Sequence, residues 1–448
     1  MTKPTRGFAL PVPLLALAVL ACGGSDRTPG PADTAAAGTS VARGEASPDT
    51  VTFSEGFQAS VFADTLGLAR HIVARSNGDL YVNTWRSPYD STRPVPAGGY
   101  IVALRDTNRD GVADRIRRFG SERGNGGTGI AIYRDQLYVE AGPTIVRYRL
   151  HPTDLGPSGG PETVVTDLPT EGGHPMHPFA IDAEGNLFVN SGSATNACQV
   201  KDRVPGSLGE RPCKELETRA GIWRFSAGRT GQRFGPESRH ATGIRNAVGL
   251  AVNPVDGALY STQHGRDQLA ENWPKLFDWK KSAELPAEEL LLVVRGGDYG
   301  WPYCYYDQTQ EKLVLAPEYG GDGKQVGECA EKLGPVATYP AHWAPNALTF
   351  YTGSQFPERY RGGVFIAFHG SWNRAPEPQA GYNVVFQPFA DGKPSGEYEI
   401  FADGFAGPRK QPGTARHRPS GLAVGPDGAL YISDDTGGRI WRVVHGGG

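Results

Sequence analysis

Several cofactor and partner signatures are missing from this sequence. It has no Cys-x-x-Cys spacing and no Cys-x-x-Cys-His, which disfavours a cysteine-held metal cluster and excludes an attached c-type haem. Past the N-terminus no run of 18 apolar residues occurs, so no transmembrane helix is expected. The formal net charge of −3 gives no electrostatic reason to expect nucleic acid or an anionic membrane surface as a partner.

The common enzyme motifs are also missing. There is no Gly-x-Ser-x-Gly elbow, which disfavours a Ser/His/Asp hydrolase. There is no Gly-x-Gly-x-x-Gly leading from a strand into a helix, and no Walker loop, so a bound nicotinamide, flavin or nucleotide has no support in the sequence.

The N-terminus has the pattern of an export signal. A basic start and the apolar run Leu10 to Leu20 lead into Val19-Leu20-Ala21-Cys22, which resembles a bacterial lipobox. We therefore expect a lipoprotein signal over residues 1–21, Cys22 as the lipidated residue, a flexible linker over 22–50 and one domain over 51–448. The protein would be periplasmic or anchored in the outer membrane; an ordinary secretory signal cut near Ala21 is the alternative.

Four further cysteines form an even set in an exported chain, which favours disulfides. The simplest of the three possible connectivities pairs near neighbours, Cys198 with Cys213 and Cys304 with Cys329. Each bridge would stabilise the fold by roughly 3 kcal/mol, mainly by constraining the unfolded chain.

A repeated hairpin organises the chain. Six segments consist of a short apolar run, a turn that usually contains glycine, and a second run of the Leu-Tyr-Val kind. Repeats that hold several strands and no convincing amphipathic helix predict an all-β, six-bladed β-propeller with loop insertions on the site face. A sandwich or two barrels is the alternative. The six segments are Ala69–Asn83, Gly129–Glu140, His177–Asn190, Ala247–Thr262, Pro345–His369 and Arg418–Asp434.

Two insertions follow the fourth repeat. Residues 270–294 have the composition of a segment with a short helix, and residues 295–307 form a dense aromatic loop. These aromatics predict either a cap that packs on the propeller or walls of a substrate cleft. Tyr299 and Trp301 are the candidates for substrate contact.

A run of oxygen-bearing side chains resembles a calcium loop. Asp106, Asn108 and Asp110 stand at alternate positions, Gly111 follows them, and Asp114 comes three residues later. Oxygen side chains in this arrangement can wrap a hard cation. No Glu stands at the twelfth position, where an EF-hand has its bidentate ligand. A structural calcium ion is the favoured interpretation, and an Asx-rich turn is the other.

Histidines and arginines stand next to the repeated strands. In a closed radial array equivalent strand ends converge on the central channel, so these side chains should meet there. The histidines are candidates for a general base or a metal ligand, and several convergent arginines need an anion with more than one carboxylate or phosphate group. The histidines are His174, His177, His342 and His369, and the arginines are Arg245, Arg266, Arg416 and Arg418.

Taken together, an ordered set of strings resembles the glucose/sorbosone dehydrogenase family over about residues 52–444, and its sorbosone dehydrogenase branch in particular. The strings are Gly265 to Gln268 with Glu271 to Pro274, Leu285 to Glu289, Asp298 to Cys304, Tyr351 to Gly363 and His369 to Arg374.

The resemblance implies a six-bladed propeller that uses pyrroloquinoline quinone (PQQ) and calcium. His174 would be the catalytic base, and the pair Arg245-Asn246 would reach the quinone carbonyls. The backbone of Gly265, Arg266 and Asp267 would hold a catalytic calcium. His369 stands where soluble glucose dehydrogenases have a Lys, which leaves cofactor anchoring and substrate preference open. The further expected cofactor contacts are Arg266, His369, Arg416 and Arg418, and the further expected substrate contact is His342.

The function so implied is oxidation of an aldose, a sorbosone-like aldehyde or a related polyol. Because the chain carries no haem, electrons would pass to an external acceptor such as a cytochrome. Two other functions stay open: a non-catalytic binding propeller carried on a lipid anchor, and a six-bladed metal-dependent lactonase. A lactonase would need Glu or Asp at the inner strand ends, where this sequence has His and Arg.

Overall fold

Strands dominate the part of the chain that the computed structural model describes, residues 51–85, 97–121 and 125–446. The expected signal, the lipobox Cys22 and the linker 22–50 lie outside these residues. All described residues belong to one compact unit, residues 48–448.

Six sheets follow one another along the chain, each built on an antiparallel meander that begins with an inner strand. The first three blades share a four-stranded meander. Blade 1 is β3 (Ala69–Ala74), β4 (Leu80–Thr84), β5 (Ile101–Arg105) and β6 (Arg115–Phe119); blade 2 is β7 (Ile130–Tyr133), β8 (Gln136–Ala141), β9 (Thr144–Arg149) and β10 (Glu162–Thr166); blade 3 is β11 (Phe179–Ile181), β12 (Asn186–Ser191), β13 (Gly221–Ser226) and β15 (Arg239–Thr242).

The last three blades repeat the plan. Blade 4 is β16 (Leu250–Val252), β17 (Leu259–Gln263), β18 (Glu288–Val293) and β21 (Ala337–Tyr339); blade 5 is β22 (Pro345–Phe350), β23 (Val364–Phe368), β24 (Asn383–Gln387) and β27 (Glu399–Asp403); blade 6 is β28 (Pro419–Val424), β29 (Leu430–Asp434) and β30 (Ile440–His445), with β2 (Phe57–Ala63) as its outer strand. Neighbouring inner strands contact one another around a closed ring, from β3 through β28 and back to β3. The six-bladed propeller is therefore confirmed.

The two ends of the propeller chain close the ring. β2 pairs antiparallel with β30, with Phe57 opposite His445 and Val61 opposite Trp441. Short strands complete the sheets: β1 (Thr52–Phe53) beside β27, β14 (Gln232–Arg233) beside β10, and the separate hairpins β19 (Cys304–Asp307) with β20 (Lys312–Leu315) and β25 (Phe389–Ala390) with β26 (Lys393–Pro394).

Helices are few and short. α1 (Leu269–Asn272) and α2 (Trp279–Glu284) lie in the insertion of blade 4, and the Asp278 side chain caps α2 by accepting a hydrogen bond from Lys281 N. In the described ranges no helix combines the length and apolar character that a bilayer crossing requires. The 3₁₀ helices are Lys214–Glu217, Pro236–Ser238, Pro317–Tyr319, Gly327–Glu331 and Glu358–Tyr360.

The period-2 pattern of the strands builds the cores between blades. In β4, Leu80 and Val82 pack toward blade 6, whereas Tyr81 packs toward blade 2. Both faces of each strand are therefore buried, which explains the continuous apolar runs of the sequence. Glycine allows the tight turns between paired strands, as at Gly78, whose φ of 94° lies in the left-handed region.

Polar side chains near the ends of the second strands join neighbouring blades. Asn83 Nδ2 donates to Gly129 O at 2.9 Å, and Thr262 Oγ1 donates to Pro345 O at 2.9 Å. Ser433 Oγ closes the series by donating to Arg70 O at 2.5 Å. These bonds satisfy buried backbone oxygens and fix where each inner strand begins, which determines the position of the residues at the rim.

The two predicted disulfides are confirmed. Cys198 bonds to Cys213 and Cys304 to Cys329. The first closes an insertion of blade 3, and the second ties β19 to the 3₁₀ helix Gly327–Glu331.

Candidate active site

A cavity of about 790 Å³ opens at one end of the propeller. In each blade the entry of the inner strand and the exit of the second strand lie at this end, because the two strands are antiparallel. The loops before inner strands bring His174, Arg245, Asn246, His342 and Arg418 to the cavity, and the loops after second strands bring Trp85, His264, His369 and Asp435.

His174 is held in one tautomer. Its Nδ1 lies 2.8 Å from Ser193 O, and a carbonyl oxygen only accepts, so Nδ1 carries the proton and Nε2 has the free lone pair. Burial, and next the charge of Arg245, lower the pKa of His174 well below its ordinary value. The imidazole is therefore neutral at pH 7 and able to take a proton at Nε2.

Arg245 and Asp267 form a buried ion pair beside this histidine. Arg245 Nη2 lies 3.0 Å from Asp267 Oδ2, and Arg245 also donates to Asn196 O, Asn196 Oδ1 and Gly265 O. Burial alone would raise the pKa of Asp267, but Arg245 and Arg203 outweigh it and hold the pKa below its ordinary value. One of the five guanidinium N–H bonds of Arg245, on Nη1, is left for a ligand.

A second cationic group lies across the cavity. Asp435 accepts from Arg70 Nη1 at 2.5 Å and from His369 Nε2 at 2.8 Å. Arg418 donates to the backbone oxygens of His369 and Gly370 at 2.9 and 2.8 Å. Burial, and next the charge of Arg418, lower the pKa of His369 to about 4, so its ring is neutral at pH 7.

Two more titratable groups lie in the lining. His264 Nε2 donates to Pro345 O at 3.1 Å, and burial followed by the charge of Arg245 lowers the pKa of His264 to about 3. Glu288 accepts from Gly265 N at 3.0 Å and from Ala344 N at 3.1 Å. Burial nevertheless raises the pKa of Glu288 to about 8, so this carboxyl keeps its proton at pH 7.

The cavity carries a net positive charge at pH 7. Burial also lowers the pKa of His342, so all four lining imidazoles are neutral. Four guanidinium groups then face two carboxylates, an excess of about two positive charges. The guanidinium groups are Arg70, Arg203, Arg245 and Arg418, and the carboxylates are Asp267 and Asp435.

A family model described as TrAA12-like matches residues 51–446. The chain belongs to the TrAA12-like family. The sorbosone branch expected from the sequence stays a prediction.

Several curated relatives of this TrAA12-like chain are sugar dehydrogenases by name, and others are uncharacterised proteins. The aldose sugar dehydrogenase YliI of Escherichia coli is 24% identical over 316 residues, 67% of this chain and 68% of that protein. A pyrroloquinoline quinone-dependent sugar dehydrogenase of Hypocrea jecorina is 23% identical over 47% of this chain and 49% of its own length. The chain thus spans between about half and two thirds of the length of these relatives.

Solved structures show the same fold. The calcium structure of a Trichoderma reesei enzyme of Carbohydrate-Active Enzymes Family AA12 superposes with a TM-score of 0.70 at 20% identity, covering 89% of this chain and 97% of that one. The holo form of the pyranose dehydrogenase PQQ domain from Coprinopsis cinerea gives 0.68 at 18% identity, covering 88% and 97%.

Five residues that were expected at the cavity lie away from its lining. His177 is buried beside Glu140, with its Nδ1 3.4 Å from Glu140 Oε1. Arg266 is buried in an ion pair with Glu318, and Tyr299 donates to Leu292 O inside the core. Trp301 donates to Asn196 O. The aromatic loop 295–307 therefore packs as a cap and does not form a wall of the cleft. Arg416 is exposed, whereas Arg418, two residues further on, lines the cavity.

The expected calcium loop is closed by its own backbone. Asp106 Oδ1 and Oδ2 accept from Arg109 N and Gly111 N at 2.6 and 2.8 Å, and Asn108 and Asp110 accept from backbone N–H groups two residues ahead. This is the geometry of an Asx-rich turn. Across the described ranges, no three His, Cys, Asp or Glu side chains are grouped to hold a metal. A structural calcium here stays a prediction.

The sequence reasoning missed several residues that line the cavity. Arg70 occupies the start of the first repeat, as Arg418 does in the last, so aligning the repeats would have found it. Asp435 directly follows the last repeat. Arg203 and Trp372 lie on loops whose course the repeats do not predict, and Glu288 begins β18, the third strand of blade 4.

Proposed function

We propose that this chain is a PQQ-dependent dehydrogenase that oxidises an aldose, a sugar-derived aldehyde of the sorbosone kind or a related polyol, and passes the electrons to an external acceptor. The observation that carries the proposal is the juxtaposition, in one cavity, of a neutral histidine with a free Nε2 and an excess of guanidinium groups. The names of the relatives supply the cofactor and the substrate class.

The lining residues fit PQQ, a flat quinone with three carboxylates. An excess of about two positive charges suits a polyanion, and Arg70 and Arg418 both present guanidinium groups to the cavity. Asn246 is buried, and its Oδ1 accepts no hydrogen bond from the described residues, so a ligand donor would satisfy it. Arg70, Arg245, Asn246, His369 and Arg418 are the residues that would hold the cofactor.

Bound PQQ would supply a two-electron acceptor for the hydride that leaves the substrate carbon. The protein's own step is proton removal. His174 Nε2 takes the proton of the substrate hydroxyl, or of an aldehyde hydrate, while Ser193 O keeps the proton on Nδ1 and fixes the plane of the ring. The Arg245 guanidinium, already oriented by Asn196 and Asp267, presents its remaining N–H where negative charge develops.

Calcium fits less well at the expected backbone site. Gly265 O accepts from Arg245 Nη1 at 2.7 Å, and Asp267 O accepts from Asn196 Nδ2 at 2.9 Å. A guanidinium group beside the Gly265 oxygen repels a second cation, so we derive no step through calcium. Equilibrium dialysis of the EDTA-treated protein against labelled calcium, with and without PQQ, tests whether the ion binds.

The decisive experiment is cofactor binding with a matched pair of arginine variants. Arg418→Ala removes a cavity guanidinium group, whereas Arg416→Ala removes an exposed one two residues away. Equilibrium dialysis should show that the wild type binds PQQ. In Arg418→Ala the affinity for PQQ should fall by roughly 10- to 100-fold, because one charged hydrogen bond contributes about that much to binding. Arg416→Ala should bind as the wild type does.

Substrate class is tested with the same preparation. The PQQ-loaded protein should reduce an artificial dye with at least one member of a panel of aldoses, sorbosone and polyols. Absence of PQQ binding would contradict the proposal and favour a binding propeller, and lactone hydrolysis without PQQ would favour the lactonase.

We further propose that the chain is exported and anchored through a lipid on Cys22, because residues 19–22 match a lipobox and the segment before them is basic and then apolar. In a Gram-negative host, labelled palmitate should be incorporated into the wild type and not into Cys22→Ser. A labelled Cys22→Ser protein would contradict this assignment.

A further inference from the structure

Trp372 lines the cavity and yet is 54% exposed to solvent. It comes three residues after His369, in the loop that leaves the second strand of blade 5. The indole therefore stands at the edge of the cavity, beyond the buried groups that surround His174 and Arg245.

Hydrogen bonds hold this loop on both sides of the indole. Asn373 Nδ2 donates to Asp267 Oδ1 at 2.5 Å, and Ser371 Oγ donates to Gln379 Oε1 at 2.7 Å. Arg374 Nη1 donates to Ala341 O at 3.2 Å. These hydrogen bonds therefore keep the loop that carries the exposed indole in a fixed position.

An indole held at the edge of a cavity presents an apolar face to a ligand that enters there, which distinguishes Trp372 from an exposed aromatic ring elsewhere on the surface. One face of a pyranose ring presents C–H groups, while its hydroxyls point outward around the edge. An indole face, which is electron-rich, attracts those C–H groups and covers their apolar surface. Arg203, about a third exposed at the same cavity, can donate to hydroxyls at the ring edge.

We propose that Trp372 is an outer carbohydrate-binding residue that stacks on the sugar ring next to the one oxidised, so that the preferred substrates are oligosaccharides. The inference rests on the proposed function, which places the reacting ring and the cofactor in the interior beside His174. A cavity of about 790 Å³ lies in the upper part of the range for small-molecule sites, enough for cofactor and reacting ring, and leaves Trp372 over the following ring.

The test compares a monosaccharide with trisaccharides on the full chain. Glucose, cellotriose and maltotriose are titrated by calorimetry into the protein with and without PQQ. Trp372→Ala should weaken trisaccharide affinity by about tenfold and change glucose affinity less than about twofold, because only the outer ring loses its contact. Trp372→Phe, which keeps a smaller aromatic face, should restore part of the loss.

Trp279→Ala is the matched control. Trp279 is 50% exposed on α2 and does not line the cavity, so its removal should leave every affinity unchanged. In the loaded enzyme, Trp372→Ala should raise KM for trisaccharides while leaving kcat within about twofold.

Two results would overturn the inference. Equal losses for glucose and trisaccharides would place Trp372 at the reacting ring, and no preference of the wild type for either trisaccharide would remove the outer site. Trisaccharide binding that depends on Trp372 in a protein that binds no PQQ would support the outer site and contradict only the proposed function.

Discussion

Burial changes the protonation state of individual residues in the cavity. Neutral imidazoles and a protonated Glu288 coexist with an ionised Asp267 in one site. Burial disfavours the charged form of every group, but the guanidinium groups close to Asp267 favour its negative charge more strongly. The site therefore combines a positive field with uncharged proton acceptors, which suits an enzyme that binds an anion and removes a proton.

The proposed base can be tested directly. His174→Gln removes the Nε2 lone pair that would accept the substrate proton, so turnover should fall by about two to four orders of magnitude. PQQ affinity should change little, because His174 makes its hydrogen bonds to Ser193 and not to the arginines. Dye-reduction kinetics and equilibrium dialysis measure the two quantities.

His151→Gln is the control for that variant, since His151 lies in a loop outside the cavity lining and should retain full turnover. Near-normal turnover of His174→Gln would assign the proton transfer to another group.

A buried carboxyl makes stability depend on pH. Burial raises the pKa of Glu289 from 4.5 to about 8. Its contribution to stability is fully present below the unfolded-state value near 4.5 and is lost as pH rises toward 8, because the unfolded chain releases the proton first. Glu289→Gln cannot ionise, so the wild type should lose up to about 1.4 kcal/mol per pH unit relative to this variant between pH 5 and 8.

Urea unfolding of both proteins at pH 5, 6.5 and 8 measures this difference in the free energy of unfolding. A difference that is the same at all three values would show that Glu289 ionises alike in both states.

Among the structural elements, the loop insertions bring residues to the cavity that do not come from the strand ends of the blades. The loop closed by Cys198 and Cys213 holds Arg203, whose Nη1 donates to Gln268 and whose Nη2 lies 3.1 Å from Asp267. One side chain of this insertion therefore reaches the ion pair that positions Arg245.

Removing this bridge should weaken the fold and loosen the loop. The double variant Cys198→Ser/Cys213→Ser should lose about 3 kcal/mol of unfolding free energy, the expected value for a closed loop of 15 residues. Hydrogen exchange should rise over residues 198–213. The pair of Cys304 and Cys329 is the comparison: its removal should cost a similar free energy but raise exchange in 198–213 less, because this bridge reaches that loop through the neighbouring Tyr303 and through the Arg211–Glu328 ion pair. Unaltered exchange in the first variant would show that packing alone holds the loop.

For the whole molecule, ring closure is the feature on which the cavity depends. The inner strands of all six blades contribute to one rim, and blade 6 is completed by β2 from the other end of the propeller chain. Phe62 and Tyr431 pack edge to face at 5.0 Å across this closure. Loss of β2 would expose the edge of β30 and part of the adjoining core.

Truncation tests this dependence. A chain that begins at Val51 keeps β2 and should unfold at the same temperature as the full chain. A chain that begins at Gly67 lacks β2, and should show a clearly lower Tm or fail to fold cooperatively, because blade 6 loses its outer strand. Calorimetry measures both. Equal Tm values would show that three strands suffice for blade 6.

Local patterns along the chain predict the scaffold and part of the site. Six hairpin repeats predict six blades, since the pattern of apolar runs and turns is local and each blade forms from neighbouring strands. The same repeats indicate that His174, Arg245, His369 and Arg418 stand at strand ends of one rim, and the structure brings all four to one cavity. The near-neighbour disulfides were also predicted correctly.

Long-range packing, in contrast, selects which of two similar side chains enters the cavity. Arg416 and Arg418 are two residues apart, yet Arg416 is exposed, whereas Arg418 lines the cavity and donates to the backbone oxygens of His369 and Gly370. Arg266 forms an ion pair with Glu318, and Trp301 donates a hydrogen bond to Asn196 O. These partners are distant in the sequence, and no local pattern predicts them. Strand periodicity is a local property, whereas the partner of a charged or aromatic side chain depends on which insertions fold against it.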